Sequence, residues 1–235
     1  MSEDLFQPAE CPAAELPADG TLLTARGVRS RAALLGAARS LFRQKGYANT
    51  TIADIAREAG RATGSFYTYF DNKEELLEQL AEDFETDISG HMSAVNMADA
   101  DPYELIRELC AVTWRVYRAR SAEVAGMFQA AMQNDHFSRR WAAIRSRGRR
   151  KIAAAIVAAE KSGLVRVTNP HPEILASAIG SMITDFCYLW LIDGGEPGTA
   201  QPDDDVAIDT MARIFYRSVF AAPEPSAVAS ATDSI

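Results

Sequence analysis

Cysteine and histidine are scarce in this chain of 235 residues, with three of each. Cys11, Cys110 and Cys187 are scattered, which excludes the paired spacing of a zinc site and indicates reduced thiols rather than a disulfide framework. The three histidines are isolated, and none belongs to a metal-ligand or nucleophile–base motif. We therefore expect a protein that is not an enzyme and that uses no metal and no cofactor.

Long apolar runs are also missing. The best candidate for a membrane span, residues 174–192, is interrupted by Asp185 and by small polar residues, whereas a spanning helix needs about 20 mostly apolar residues. The first 20 residues are acidic and lack the apolar core of a secretion signal. These absences predict a cytoplasmic protein without a membrane partner.

Positive charge is in deficit overall, because the net charge is −8, but it is unevenly distributed. Residues 1–25 contain five acidic residues and no Lys or Arg, and residues 26–73 contain nine Lys or Arg against three acidic residues. Residues 74–235 contain fifteen Lys or Arg against twenty-four acidic residues. A basic segment in an acidic chain is the electrostatic footprint of a local contact with DNA. On charge alone, a basic segment that arises by chance is an equally good explanation.

Strand signals are lacking, because no alternating run of Val, Ile and Thr is bounded by turn residues. Apolar residues instead recur at intervals of three and four, which predicts an all-α fold. Residues 1–25 and 222–235 are rich in Ala, Pro and small polar or acidic residues, and this predicts disordered terminal segments. Helices are predicted at about 29–45, 52–59, 63–70, 73–90, 122–134, 137–161, 172–193 and 205–221, with another beginning at Pro102.

Two short helices separated by Gly60 form the most informative pattern in the chain. Thr51 is a predicted N-cap with Asp54 in a capping box, and Gly60 allows the positive φ of a sharp turn. In a helix-turn-helix, the second helix enters the major groove of DNA. Here Phe66 and Phe70 would take its buried side and leave a small, polar outward side. Base contacts are predicted from Thr63, Ser65 and Thr68, and phosphate contacts from Tyr67, Tyr69 and Lys73. Gly64 permits close approach of the backbone to DNA.

The stretches IADIAREAG and GSFYTYFDNKEELL make this pattern specific. Over about 45 residues the chain resembles the DNA-binding domain of the TetR family of transcriptional regulators. The resemblance implies an N-terminal three-helix helix-turn-helix domain at 26–73 and a C-terminal helical bundle at 74–221 that binds an inducer and dimerises. Its expected partner is a double-stranded DNA operator. Carried over residue by residue, the family's base contacts fall on Thr63, Gly64, Ser65 and Thr68, and its backbone contacts on Thr51, Tyr67, Tyr69 and Lys73.

Two positions depart from the family pattern. Arg61 stands where an apolar residue is usual, and Ala62 stands where a Ser cap is usual. We therefore expect Thr63 to cap the second helix instead. Arg61 either faces DNA or points to solvent.

Large, flexible or aromatic side chains on several helices of the second domain are candidates for lining an effector pocket, although an ordinary bundle core accounts for each of them individually. They are Trp114, Tyr117, Met127, Phe128, Met132, Trp141, Asp185 and Phe186. The expected effector is lipophilic: an acyl chain, an acyl-CoA, or a sterol-like or aromatic compound. Asp185 is either a polar anchor or an outward-facing residue. The seven basic residues in 139–151 suggest a second nucleic-acid patch, a CoA phosphate site or, in preference, the solvated face of a long helix.

The segments 172–193 and 205–221 are predicted to form a homodimer interface. The first carries a strip of small residues, Ala176, Ser177, Gly180, Ser181 and Thr184, and the second carries an apolar stripe, Ile208, Met211, Ala212, Phe215 and Val219. Two-fold symmetry would present two reading helices to a palindromic operator. These features favour a repressor that a lipophilic effector releases from DNA. An activator, or a regulator without a small-molecule effector, is the alternative.

Overall fold

The computed structural model describes residues 24–93, 101–161 and 171–220, and within these ranges it contains nine α-helices and no strand. The all-α prediction is confirmed. The helices are α1 (Ala25–Lys45), α2 (Ile52–Glu58), α3 (Thr63–Phe66), α4 (Lys73–Ser93), α5 (Pro102–Ala119), α6 (Ser121–Gln133), α7 (Asp135–Lys161), α8 (Pro172–Leu191) and α9 (Asp204–Phe220).

The first helix begins four residues before its predicted start. Thr24 is the N-cap, and its side-chain oxygen accepts a hydrogen bond from the amide of Gly27 at 3.2 Å. The predicted disordered segment 1–25 is therefore wrong at its last residues. The rest of it, and the predicted tail at 222–235, lie outside the described residues. The helix ends at Gly46, whose φ of +78° suits glycine and whose amide donates to the carbonyl of Phe42.

The first three helices share one apolar centre. Leu34 and Phe42 of α1, Ile55 of α2 and Phe66 of α3 are all at most 1% exposed. Each such side chain contributes roughly 1.5–3 kcal/mol when it is fully buried. Because α3 has a single helical turn, this apolar contact, rather than its own hydrogen bonds, fixes its orientation.

The remaining helices form a bundle in which α9 packs chiefly on α5, and α7 packs against α4, α6 and α8. The α5–α9 contact is closed at its end by Asp204, which accepts a hydrogen bond from the indole nitrogen of Trp114 at 2.7 Å. The apolar stripe of α9 lies inside this contact. Its residues, Ile208, Met211, Ala212, Phe215 and Val219, are all buried within one chain. The prediction that they meet a second subunit is therefore wrong.

Helix α8 is the most apolar element, and it is long and apolar enough to cross a membrane by length and composition. Only 22% of its most apolar window is buried within the chain. Such a helix is weak evidence of membrane insertion, because a helix covered by other protein passes the same test. Two residues of its small-residue strip are covered by the chain itself: Ala176 is buried, and a Cβ atom on Gly180 would come within 2.9 Å of the Arg149 side chain.

Two sets of ion pairs join α4 to its neighbours and α1 to the helical bundle. Arg39 of α1 pairs with Asp83 of α4 at 2.6 Å and with the buried Glu123 of α6 at 3.4 Å. A second set joins the acidic face of α4 to the basic face of α7 and is called here the α4–α7 ladder. Its pairs are Glu78–Arg140, Glu82–Arg147 and Glu85–Lys151.

Candidate nucleic-acid interface

The first helix of the motif, α2, begins with the predicted capping box. The Thr51 side chain accepts from the amide of Asp54 at 3.1 Å, and the Asp54 carboxylate accepts from the amide of Thr51 at 3.2 Å. Hydrogen bonds from Lys45 and then from Thr51 hold the pKa of Asp54 well below its ordinary value. The start of α2 is therefore fixed by a charged, fully paired cap, with the Thr51 hydroxyl already engaged.

The turn between the two helices has the predicted geometry at Gly60, where φ is +64°. The next helix differs from the prediction in two respects. Its N-cap is Ala62, which forms no side-chain capping bond, and Thr63 is its first helical residue, so Thr63 does not act as the cap. It also ends at Phe66 and continues only as a turn, although the amide of Phe70 still donates to the Phe66 carbonyl at 3.0 Å. An uncapped start and a glycine in its first turn explain why the helix is short.

The outward side of α3 and of the turn after it is small and polar, as predicted. Phe66 and Phe70 are buried, whereas Thr63, Gly64, Tyr67 and Thr68 are exposed and Ser65 and Tyr69 are half-buried. A Cβ atom on Gly64 would touch nothing within 4 Å, so this position is open to an approaching molecule.

A cleft of about 230 Å³ separates this side of α3 from the start of α1. It is lined by Thr24, Arg26, Gly27, Ser30, Arg61, Ser65, Thr68 and Tyr69. Sequence reasoning missed the contribution of α1, although the basic charge beginning at Arg26 was a usable signal. The N-terminus of a 21-residue helix adds its own positive end to this surface.

Arg61 lies on the lining of this cleft, beside Ser65 and Thr68. Its side chain is exposed and forms no ion pair with the described residues. This exposure fits both alternatives that the sequence leaves open, contact with DNA and contact with solvent.

Lys73 does not point to an open surface. Its ammonium group donates to the carbonyls of Tyr47 at 2.9 Å and Thr50 at 3.0 Å, and it lies 4.1 Å from the centre of the Tyr47 ring. Burial lowers the pKa of Lys73. In this conformation the predicted phosphate clamp instead fastens the α1–α2 loop to the start of α4.

The predicted effector-pocket residues separate into three groups. Trp114, Tyr117, Met127 and Trp141 are buried, and Phe128 and Phe186 are half-buried. Met132 and Asp185 are exposed, each on the outer side of its helix, so Asp185 takes the outward-facing one of its two alternatives. The basic run 139–151 is also divided, because three of its residues form the α4–α7 ladder.

Comparison with known proteins supports the interpretation of α2 and α3 as a helix-turn-helix of a DNA-binding regulator. Residues 34–80 match the family model of bacterial regulatory proteins of the tetR family. The transcriptional regulator EthR of Mycolicibacterium smegmatis is 26% identical over 206 residues, which is 84% of this chain and 93% of that protein. The transcriptional repressor KstR2 of Rhodococcus jostii is 31% identical over 95 residues, which is 40% of this chain and 47% of that protein.

The fold also matches a solved structure from Syntrophomonas wolfei that is assigned to the TetR family. The TM-score is 0.69 and the identity 23%, over 84% of this chain and 98% of that one. Fold, surface and relatives together define a helix-turn-helix DNA-binding regulator and not an enzyme. The chain therefore resembles regulators of the TetR family, through the family model over residues 34–80 and through its similarity to EthR over most of its length.

Proposed function

We propose that the chain is a dimeric repressor that binds a palindromic operator through α3 and is released from it by a small lipophilic effector. The observation that carries the proposal is the cleft between α1 and α3, which Arg26 and Arg61 line together with small polar side chains. Arginines suit phosphates, and small polar groups suit base edges.

Within this surface we assign two kinds of contact. Thr63, Gly64, Ser65 and Thr68 are proposed to read bases, and Thr51, Arg61, Tyr67 and Tyr69 to contact the backbone. Lys73 is proposed to affect DNA binding indirectly, because it holds the loop that precedes α2 in place. The proposed domains are residues 26–73 for DNA binding and 74–221 for effector binding and dimerisation.

The proposed dimer uses the surfaces of α8 and α9 that the chain leaves uncovered. Ile174 of α8 is 66% exposed, and Val206 and Ile214 of α9 are 56% and 49% exposed. Exposed apolar side chains on two helices are typical of a subunit interface. This keeps the predicted segments 172–193 and 205–221 but replaces the buried stripe with the outer faces of the helices. A second copy would also cover the apolar surface of α8, which supports a cytoplasmic rather than a membrane location.

The proposed repression follows from relatives and from the fold. KstR2, which is similar to this chain over 95 residues, is described as a repressor. A body tied to α1 by the Arg39–Glu123 pair can pass a change of shape to the reading surface. An effector that prefers a body with mismatched reading helices then lowers operator affinity by its difference in affinity for the two shapes.

The test begins with selection of bound duplexes from a random DNA library. We expect a two-fold symmetric site, bound by two chains, whose sequence preference changes in Thr63→Ala and Thr68→Ala. An asymmetric site bound by one chain would contradict the dimer, and unchanged preference in both variants would contradict the assigned reading residues.

The sign of regulation requires a separate measurement. Deletion of the gene should raise transcription from promoters that contain the selected site, and a fall in transcription would instead show an activator. A panel of lipophilic compounds should contain at least one that lowers affinity for the selected site. If none does, the alternative of a regulator without a small-molecule effector is favoured.

A further inference from the structure

The basic run on α7 contains two arginines that do not take part in the α4–α7 ladder and that face the interior instead. Arg145 lies over two aromatic rings, with its guanidinium carbon 5.3 Å from the centre of Trp141 and 5.8 Å from that of Phe128. Arg149, one helical turn further on, packs against α8 at Gly180. Both side chains are half-buried.

Neither arginine has an anionic partner among the described residues. Glu78, Glu82 and Glu85 of α4 pair with other members of the run, and Asp185 on α8 is exposed and forms no ion pair with either arginine. A guanidinium group stays charged in proteins, so its burial without a carboxylate is costly. Burial, and then repulsion from Arg149, lower the pKa of Arg145.

Two hydrogen-bond donors in this cluster are sealed from water and unused. They are the Nε atom of Arg145 and the indole Nε1 atom of Trp141, whose side chain is 1% exposed. Both groups donate and cannot accept. Buried donors without partners are uncommon in folded proteins, and they mark a place where an acceptor belongs.

The surroundings of these donors are aromatic. Phe84 lies 5.1 Å from Tyr117 and 6.0 Å from Trp141, and Phe128 lies 4.4 Å from Tyr188, measured between ring centres. Phe128 and Tyr188 are only partly buried, so the cluster meets the surface on the side of α6 and α8. The cluster therefore combines an apolar lining with unpaired cationic and neutral donors.

We propose that Arg145, Arg149 and Trp141 bind the anionic group of the effector, which is an amphipathic organic acid whose apolar part lies among the aromatic rings. This inference rests on the proposed effector function and names the chemical class of the ligand. The anion is a carboxylate of the free acid or a phosphate of its CoA thioester; both offer the oxygen acceptors that the two arginines lack.

The experiment measures binding of matched ligands by isothermal titration calorimetry on the full chain. The ligands are straight-chain carboxylates from C6 to C16 and phenyl-terminated carboxylates, each paired with its neutral alcohol and its CoA thioester. Wild type should bind at least one anion about 10-fold or more tightly than the matching alcohol. Arg145→Gln and Arg149→Gln should remove this preference and leave affinity for the alcohol unchanged. The matched control is Arg139→Gln, since Arg139 is an exposed residue of the same helix.

The outcomes separate this inference from the proposed function. If a free acid binds and its binding depends on the arginines, the anion site is supported and its ligand group is a carboxylate. If only thioesters bind in this way, the anion site is supported and its ligand group is a phosphate. Equal binding of acid and alcohol in wild type and in both variants overturns the anion site while the lipophilic effector stands. If no compound binds, both are overturned. The comparison of ligands in wild type needs no variant, so it decides the matter even if a variant does not fold.

Discussion

Lys73 and Tyr47 hold each other across the junction between the DNA-reading helices and the body. The Lys73 ammonium group donates to the Tyr47 carbonyl at 2.9 Å and lies 4.1 Å from the ring centre, while the Tyr47 hydroxyl donates to Glu74 at 2.9 Å. Burial, and then the charge of Glu74, raise the pKa of Tyr47. The loop before α2 is thus fastened to the first two residues of α4.

The first prediction concerns this junction. Lys73→Met should lower the free energy of unfolding by about 1–2 kcal/mol, because the carbonyls of Tyr47 and Thr50 lose a donor. Operator affinity should fall, but the slope of log affinity against log salt should change by much less than one. Urea denaturation and fluorescence anisotropy measure the two effects. If stability is unchanged and the salt slope falls by about one, Lys73 contacts a DNA phosphate as the sequence predicted. Lys161→Met, at an exposed position, is the control.

A second prediction separates Arg61 from Lys73. Arg61 lines the cleft, is exposed and has no ion pair with described residues, so Arg61→Gln should leave thermal stability unchanged. If the side chain neutralises one phosphate, the salt slope should fall by about 0.9. Anisotropy titrations between 50 and 200 mM salt would measure it. Arg213→Gln, on an exposed position of α9, should leave the slope as in wild type. If the two variants behave alike, Arg61 belongs to the solvated surface.

Two helical glycines give a third, paired prediction. A Cβ atom on Gly126 of α6 would lie 2.8 Å from Cβ of Tyr47, whereas one on Gly148 of α7 would touch nothing within 4 Å. Gly148→Ala should therefore stabilise the protein by roughly 0.5–1 kcal/mol through helix propensity. Gly126→Ala should destabilise it, since overpacking costs about 1–3 kcal/mol and exceeds that gain. Chemical denaturation of both variants measures the difference, and a stabilising Gly126→Ala would show that the contact between α6 and the α1–α2 loop adjusts at little cost.

The buried thiols provide a fourth prediction. Burial raises the pKa of Cys110 to about 12 and raises that of Cys187 as well. Since the thiolate is the reactive form, only about one Cys110 in 10⁴ is reactive at pH 8, and each additional pH unit raises that fraction about 10-fold. Iodoacetamide should leave both residues unmodified in the native protein and alkylate both in urea. Peptide mass spectrometry distinguishes the states, and native-state alkylation at pH 8 would show that the α5–α8 region opens.

Much of this fold follows from local patterns in the sequence. The capping box at Thr51 and the turn at Gly60 depend on neighbours within a few residues, and the structure confirms both. The early start of α1 was missed because Arg26 to Arg29 carry no apolar period, and the short α3 because its capping residue is absent.

Long-range relations were harder to predict. An apolar stripe shows that one face of a helix is covered but does not identify the partner, so Met211 and Phe215 were assigned to a second subunit although they pack on α5. The partners of charged side chains are equally hard to predict from the sequence. Nothing local distinguishes Arg147, which pairs with α4, from Arg145, which turns inward.

The α4–α7 ladder sets a constraint on how the body moves. The residue numbers of the paired acids and bases rise together, so the two helices run in the same direction along the ladder. A slide of α4 along α7 would therefore break the three pairs together. New partners come into reach only after about one helical turn, or 5.4 Å. The α4–α7 contact therefore opposes small slides of one helix along the other, and this resistance should decrease as ionic strength rises.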